Sequence, residues 1–345
     1  MSFQDFNPND IGVSNGNLFG LPCNFDESEL VIIPVPWDVT VSYGGGTAKG
    51  PQAILDASTQ VDLYDLDYGN FWQRGIFMME ISSEIQNLSK KHRALAVEII
   101  KLLESGVDPK TNAIILTNTE KINAVCDEMR HWVYEQASKY IKHGKKLALL
   151  GGDHSTPLGI IQALSHEFPD MGILQIDAHC DLRMAYEGFK YSHASIMYNV
   201  LNSTSIKKLV QVGIRDFCEE EMDYAAQSNN RIEIFYDRKL KDKLYSGETW
   251  KSICDEIVSK LPQHVYISFD IDGLNPSYCP NTGTPVAGGL EIDQVFYLIN
   301  AVKKSGRKII SFDLNEVGDS EWDGNVGARV LYRLCGALLT EEHSS

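Results

Sequence analysis

Short, continuous apolar runs alternate along this chain with segments of helical period. The first run is Leu30-Val31-Ile32-Ile33-Pro34-Val35, and later ones lie at Lys146–Leu150, Met171–Ile176, Leu209–Val212, Ile232–Tyr236, Val265–Phe269 and Lys308–Phe312. Apolar residues fill these runs instead of alternating with polar ones, as strands covered on both faces require. Between them, a 3.6-residue period predicts helices near 84–104, 119–143, 156–167, 192–202, 219–228, 248–261, 291–304 and 324–339. Gly50-Pro51 opens a further helix reaching Ala57. The stretch 105–118 leaves two readings open, because Ala113-Ile114-Ile115-Leu116 can also form a short strand. Strands alternating with helices predict an α/β fold with a mainly parallel sheet covered on both faces. Residues 1–29, rich in Asn, Gly and Asp, read as an N-terminal arm or irregular lead-in. No Ser- or Pro-rich linker and no internal repeat divides residues 30–345, which read as one domain.

Composition narrows the function. Of 345 residues, 43% are hydrophobic, enough for a large core, and the net charge is −16. That balance disfavours nucleic acid, which needs clustered Lys and Arg, and weakly favours a small cationic ligand. Seven cysteines are scattered with no CxxC pair, which argues against a disulfide framework or a thiolate zinc site and fits a reducing cytoplasm. The first residues lack the basic start and apolar run of a signal peptide. No apolar stretch approaches the ~20 residues of a membrane span. Tyr43-Gly44-Gly45-Gly46-Thr47 lacks the spacing of a phosphate loop and reads as a turn in a pocket wall.

The candidate chemistry lies where the strands end. Gly151-Gly152-Asp153-His154-Ser155, Asp177-Ala178-His179-Cys180-Asp181, Asp270-Ile271-Asp272 and Asp313-Leu314-Asn315-Glu316 each follow a predicted strand. In open α/β sheets ligands bind along that edge. On extended chain, residues i, i+2 and i+4 share a face, so Asp177, His179 and Asp181 can converge, as can Asp270 and Asp272. With His154, that gathers four carboxylates and two imidazoles, a crowd that needs cations. Two divalent ions meet the need. The mix of oxygen and nitrogen donors suits Mn²⁺, Ni²⁺ or Zn²⁺ better than Ca²⁺ or Mg²⁺ alone.

These motifs resemble the GGDHS, DAHxD and SFDxDxxDP signatures of the ureohydrolase family, which includes arginase, agmatinase and formimidoylglutamase. Thr282-Gly283-Thr284-Pro285-Val286-Ala287-Gly288-Gly289-Leu290 resembles the family's TGTPxxGG loop. The likeness runs in the family's order from about Pro34 to Leu338. It implies a three-layer αβα sandwich, two divalent ions per chain (Mn²⁺ first, Ni²⁺ in some relatives) and a trimer or hexamer. By the resemblance, His154, Asp177, Asp181 and Asp270 hold one ion. Asp177, His179, Asp270 and Asp272 hold the other, and Asp272 also bonds the activated water that attacks a guanidinium carbon. His193 matches the family's proton carrier, Glu316 its guanidinium partner, Thr284 a residue beside the substrate, and Asp153 an acid that orients a metal ligand. The implied activity is hydrolysis of a guanidino compound to urea and an amine.

Some positions depart from the pattern. Asn275-Pro276 replaces Asp-Pro, Val317-Gly318-Asp319 follows Glu316, and Cys180 sits between two ligands. The loop Leu182-Arg183-Met184-Ala185-Tyr186-Glu187-Gly188 lacks the Asn/Ser/Thr character of arginases and resembles the agmatinase branch. Arg183 reads as a brace for the ligand loop. Agmatine is therefore the leading substrate. Free guanidine or another guanidino acid is the alternative, with Trp37, Trp72 and Trp322 as candidates for an aromatic pocket mouth. A single-metal deacetylase-like hydrolase and a non-catalytic relative fit less well, because the full ligand set is present.

Overall fold

The computed structural model describes residues 6–340. Eight strands form one parallel sheet: β1 (Leu30–Pro34), β2 (Ile76–Met78), β3 (Lys146–Leu150), β4 (Gly172–Ile176), β5 (Lys208–Ile214), β6 (Ile232–Tyr236), β7 (His264–Asp270) and β8 (Lys308–Asn315). Their spatial order is β2-β1-β3-β8-β7-β4-β5-β6, and every pairing is parallel. The helices are α1 (Gly50–Ser58), α2 (Ser83–Glu104), α3 (Ala113–Lys142), α4 (Leu158–Glu167), α5 (Ile196–Ser203), α6 (Glu219–Ala226), α7 (Asp237–Tyr245), α8 (Trp250–Ser259), α9 (Ile292–Lys304) and α10 (Glu321–Leu339).

The layers follow from the pleat. Leu30 and Ile32 of β1, with Ala148 and Leu150 of β3, enter one core together with residues of α1, α8, α9 and α10. Val31, Ile33, Leu147 and Leu149 enter a second core with α2, α3, α4 and α5. The central strands feed both cores, so their sequences are mostly continuous apolar runs. The expected αβα sandwich is the observed architecture.

One open reading is resolved, and three differences from the sequence reading have physical causes. Ala113–Leu116 is the first turn of α3, because the Asn112 side chain accepts from the backbone N–H groups of Ile114 and Ile115 and fixes the helix start there. β2 passes unnoticed in the sequence, being an edge strand of three residues. α7 also escapes, since Asp237-Arg238-Lys239-Leu240-Lys241-Asp242-Lys243-Leu244-Tyr245 buries only Asp237 and Leu240 and carries no apolar stripe. β8 runs on to Asn315, which places Asp313 inside a strand.

Part of the polar lead-in belongs to the core. Leu18, Phe19 and Leu21 are buried, and the Phe19 ring meets Tyr332 of α10 edge-on at 4.8 Å. The Asn17 side chain donates to the Ile76 carbonyl and accepts from the Met78 N–H, fastening this segment to β2. Among the described residues no helix is long and apolar enough to cross a membrane. All seven cysteines are unpaired thiols.

Candidate metal centre

β3, β4, β7 and β8 lie side by side in the middle of the sheet, and all four end on the same edge. Their parallel direction therefore delivers the four motifs to one place. His154 follows β3, Asp177 and Asp181 follow β4, and Asp270 closes β7 with Asp272 in the turn behind it.

The His154 Nδ1 atom lies 3.0 Å from Asp177 Oδ2, 3.1 Å from Asp181 Oδ2 and 3.3 Å from Asp270 Oδ2. His179 Nδ1 lies 3.1 Å from Asp272 Oδ2 and 3.6 Å from Asp177 Oδ1. The six expected ligands are thus together. Asp177 presents one oxygen to each histidine. His154, Asp177 and Asp270 form one group with donor atoms spaced to hold an ion, and Asp177, His179 and Asp272 form another.

One detail departs from expectation. Asp181 does not reach the centre by strand alternation; it has φ 55°. This left-handed residue turns the chain back so that its carboxylate faces His154. Asn and Asp enter this region more readily than other L-residues.

The chemistry of the cluster fits divalent cations. A proton on His154 Nδ1 can serve one of the three facing carboxylates, yet all three crowd it. Burial pushes Asp181 up to about 7, helped by the Asp177 charge. Burial also pushes Asp270 well above the usual carboxylate range, with Asp272 and Asp177 adding to the rise. Without cations, these carboxylates must take up protons. With cations, they can all stay ionised.

The support beneath the ligands was only partly foreseen. Ser268 of β7 donates from Oγ to Asp313 Oδ1 at 3.1 Å, so Ser268 Oγ in turn accepts from His154 Nε2 at 2.9 Å. With Nε2 carrying its proton toward Ser268, a cation that replaced the proton on Nδ1 would meet the neutral tautomer a metal ligand needs. Ser268→Ala is expected to weaken divalent-ion binding about 10–100-fold, measured by calorimetric titration of metal-free protein. Arg215 after β5 donates to the Asp272 and Val286 carbonyls at 2.7 and 2.8 Å, tying the Asp270–Asp272 turn to the loop that carries Thr284. Asp153 does not bond a ligand side chain. Its Oδ1 accepts from the N–H and hydroxyl of Ser155 and so holds its own turn.

Glu316 also has a left-handed backbone, φ 62°. Its Oε1 accepts from the His154 N–H at 2.9 Å, while its Oε2 is buried without a partner among the described residues. Burial pushes this carboxyl well above its usual range, and the Asp153 charge adds to the effect. His193 is buried in the short turn that leads into α5, with its N–H on Thr40 Oγ1 and its Nδ1 3.2 Å from Ser192 Oγ. Burial, followed by the charges of His179 and His154, pushes its pKa down to about 3, leaving a neutral imidazole. Thr284 Oγ1 is 3.5 Å from Asp272 Oδ2.

A cavity of about 290 Å³ opens over the centre, at the small end of the roughly 300–1,000 Å³ of ligand pockets. His179, Asp181, His193 and Thr284 line it, with Tyr43, Arg183, Tyr186, Asp216 and Phe217. None of the three tryptophans does. Trp37 is fully buried beneath the Gly151–Asp153 turn, where its carbonyl accepts from the Asp153 N–H. Trp72 packs against Phe6, and Trp322 is half-exposed with its indole N–H on the Ser277 carbonyl. Arg183 braces through its backbone, with its N–H on the Ala194 carbonyl. Its guanidinium lies over Tyr186 and 3.9 Å from Glu221.

Comparison with known proteins agrees with this geometry. An N(1)-aminopropylagmatine ureohydrolase of Thermus thermophilus is 30% identical over 85% of this chain and 84% of its own. An agmatinase of Bacillus anthracis is 28% identical over 85% of each. The agmatine ureohydrolase structure of Thermoplasma volcanium superposes with a TM-score of 0.69, at 23% identity and 92% coverage of both chains. The model of the arginase family matches residues 28–337, and so this chain, a ureohydrolase with a two-group His/Asp centre at the edge of a parallel sheet, belongs to the arginase family.

Proposed function

We propose that the protein hydrolyses a short guanidino compound with a cationic tail, agmatine foremost, to urea and an amine. The observation that carries this reading is Glu316. Its buried, unpartnered oxygen lies in the carboxylate-rich environment of Asp272 and Asp153. Such a group needs a proton or a cation, and a guanidinium supplies a planar cation with N–H donors in carboxylate geometry.

His154, Asp177, Asp181 and Asp270 on one side and Asp177, His179, Asp270 and Asp272 on the other would hold two divalent ions, Mn²⁺ or Ni²⁺, which would supply a water activated near neutral pH. The chain does the rest. Glu316 orients the guanidinium carbon toward the centre, and Thr284 and Asp272 define the near wall. His193, neutral and facing the same cavity, is placed to relay a proton to the departing amine.

The charge around the cavity favours a second cation on the substrate. Four ligand carboxylates balance two divalent ions, and Glu316, Glu221 and the exposed Asp216 then stand against Arg183. Exposed Tyr43 and Phe217 form the mouth, which leaves room for a tail beyond the guanidinium. Urea release is the test, using agmatine, N(1)-aminopropylagmatine, guanidine, 4-guanidinobutyrate and arginine with Mn²⁺ or Ni²⁺. The expected order puts an amine-tailed substrate first, by at least about tenfold in kcat/KM over 4-guanidinobutyrate, from the charge complementarity just described. Preference for 4-guanidinobutyrate or guanidine overturns the tail assignment, and urea from none of them overturns the activity.

A further inference from the structure

Beneath the centre lie two polar side chains that the reaction does not use. Gln175 of β4 and Gln211 of β5 face each other in register across adjacent strands, and both are fully buried. An amide inside an apolar strand run is retained against a desolvation penalty unless its bonds are satisfied. Here the amide N–H donors and the Gln175 oxygen form a directed chain, while Gln211 Oε1 is buried without a partner among the described residues. Gln211 Nε2 donates to Gln175 Oε1 at 2.6 Å and to the Cys180 carbonyl at 2.7 Å. Gln175 Nε2 donates to Asp177 Oδ2 at 2.7 Å and reaches the His179 carbonyl at 3.3 Å.

The direction of this chain is forced. The Cys180 and His179 carbonyls can only accept, so each amide must turn its NH₂ toward the ligand loop. The chain therefore ends with an N–H on one chosen oxygen of Asp177, the one 3.0 Å from His154. The other Asp177 oxygen accepts from the His179 N–H and faces the His179 ring. Asp177 is thereby locked between the two halves of the centre and cannot rotate to give both oxygens to one side. The donors are uncharged, so they orient the carboxylate without competing with a cation for it.

We infer that Gln175 and Gln211 are positioning residues that hold Asp177 split between two metal ions, and that they set the coupling of those ions. The inference rests on the metal-centre reading above. It is tested on full-length, metal-free protein with Mn²⁺ alone, by calorimetric titration and by electron paramagnetic resonance of the loaded protein, with Gln175→Met and Gln211→Met beside the parent. Gln175→Met is expected to weaken Mn²⁺ binding about 10–100-fold and to convert the exchange-coupled pair signal into that of isolated ions. Gln211→Met, which leaves the Gln175 donor present but unfastened, should shift both readouts the same way by less. A purely structural role would lower the melting temperature of the metal-free protein and leave the coupled signal of the loaded form unchanged. Parental affinity with an unchanged coupled signal in folded Gln175→Met overturns the inference, as it does in Gln211→Met if Gln175→Met does not fold. A parent chain that takes up fewer than two ions overturns the metal-centre reading itself, a result distinct from parental behaviour in the variants.

Discussion

His179→Ala is expected to bring urea release down to the buffer background and bound metal from about two ions per chain toward about one. The reason is geometric. His179 is the nitrogen donor of the group that also holds Asp272, whereas His154, Asp181 and Asp270 form their own group around the other oxygen of Asp177. Removing one imidazole should therefore empty one side and leave the other. His179 is less enclosed than His154, with 21% of its side chain exposed against 1%, so the truncated site can admit water without leaving a sealed void. Metal analysis by plasma mass spectrometry after dialysis, run beside the urea assay, checks both halves. Full activity, or two ions retained, refutes His179 as a ligand.

Glu316→Gln should do the converse. Both ions stay bound, because Glu316 contacts the centre only through the backbone N–H of His154, and a glutamine carbonyl can accept that bond equally well. What disappears is the buried negative charge opposite the guanidinium. Truncating one side of a buried, hydrogen-bonded charge pair costs about 2–5 kcal/mol, or roughly 30- to 5,000-fold in kcat/KM. Metal content and kinetics measured on one preparation separate this outcome from a general loss of folding. Unchanged kinetics would place Glu316 away from the substrate.

Much of the fold was legible because a doubly covered strand writes a continuous apolar run, and the runs at β3, β4 and β7 stand out against the charged helices between them. What escaped had no such signature. β2 is three residues at an edge, and α7 turns only Leu240 and, in part, Leu244 to the core. Ala113–Leu116 is apolar in a way that suits either state, and the decision is made by the Asn112 cap. In the site, the types of the candidate ligands and their place after strands could be read directly. Their support was harder to read. Gln175 and Ser268 interrupt otherwise apolar runs, a signal present in the sequence, but what each touches depends on the neighbouring strand. The tryptophans illustrate the opposite limit. A large aromatic near a motif reads equally well as pocket wall or as buried packing. Trp37 is the latter, a fully buried side chain in the core that β1 and β3 share with α2, α3 and α4.

The left-handed backbone at Asp181 and Glu316 sets the direction in which this protein can be improved. Each such residue holds about 1–3 kcal/mol of conformational strain, and glycine would release it. Heat tolerance and turnover therefore pull against each other at these two codons. A library sorted by thermal survival alone would drift there toward residues that relax the chain and strip away the two carboxylates that the proposed chemistry uses.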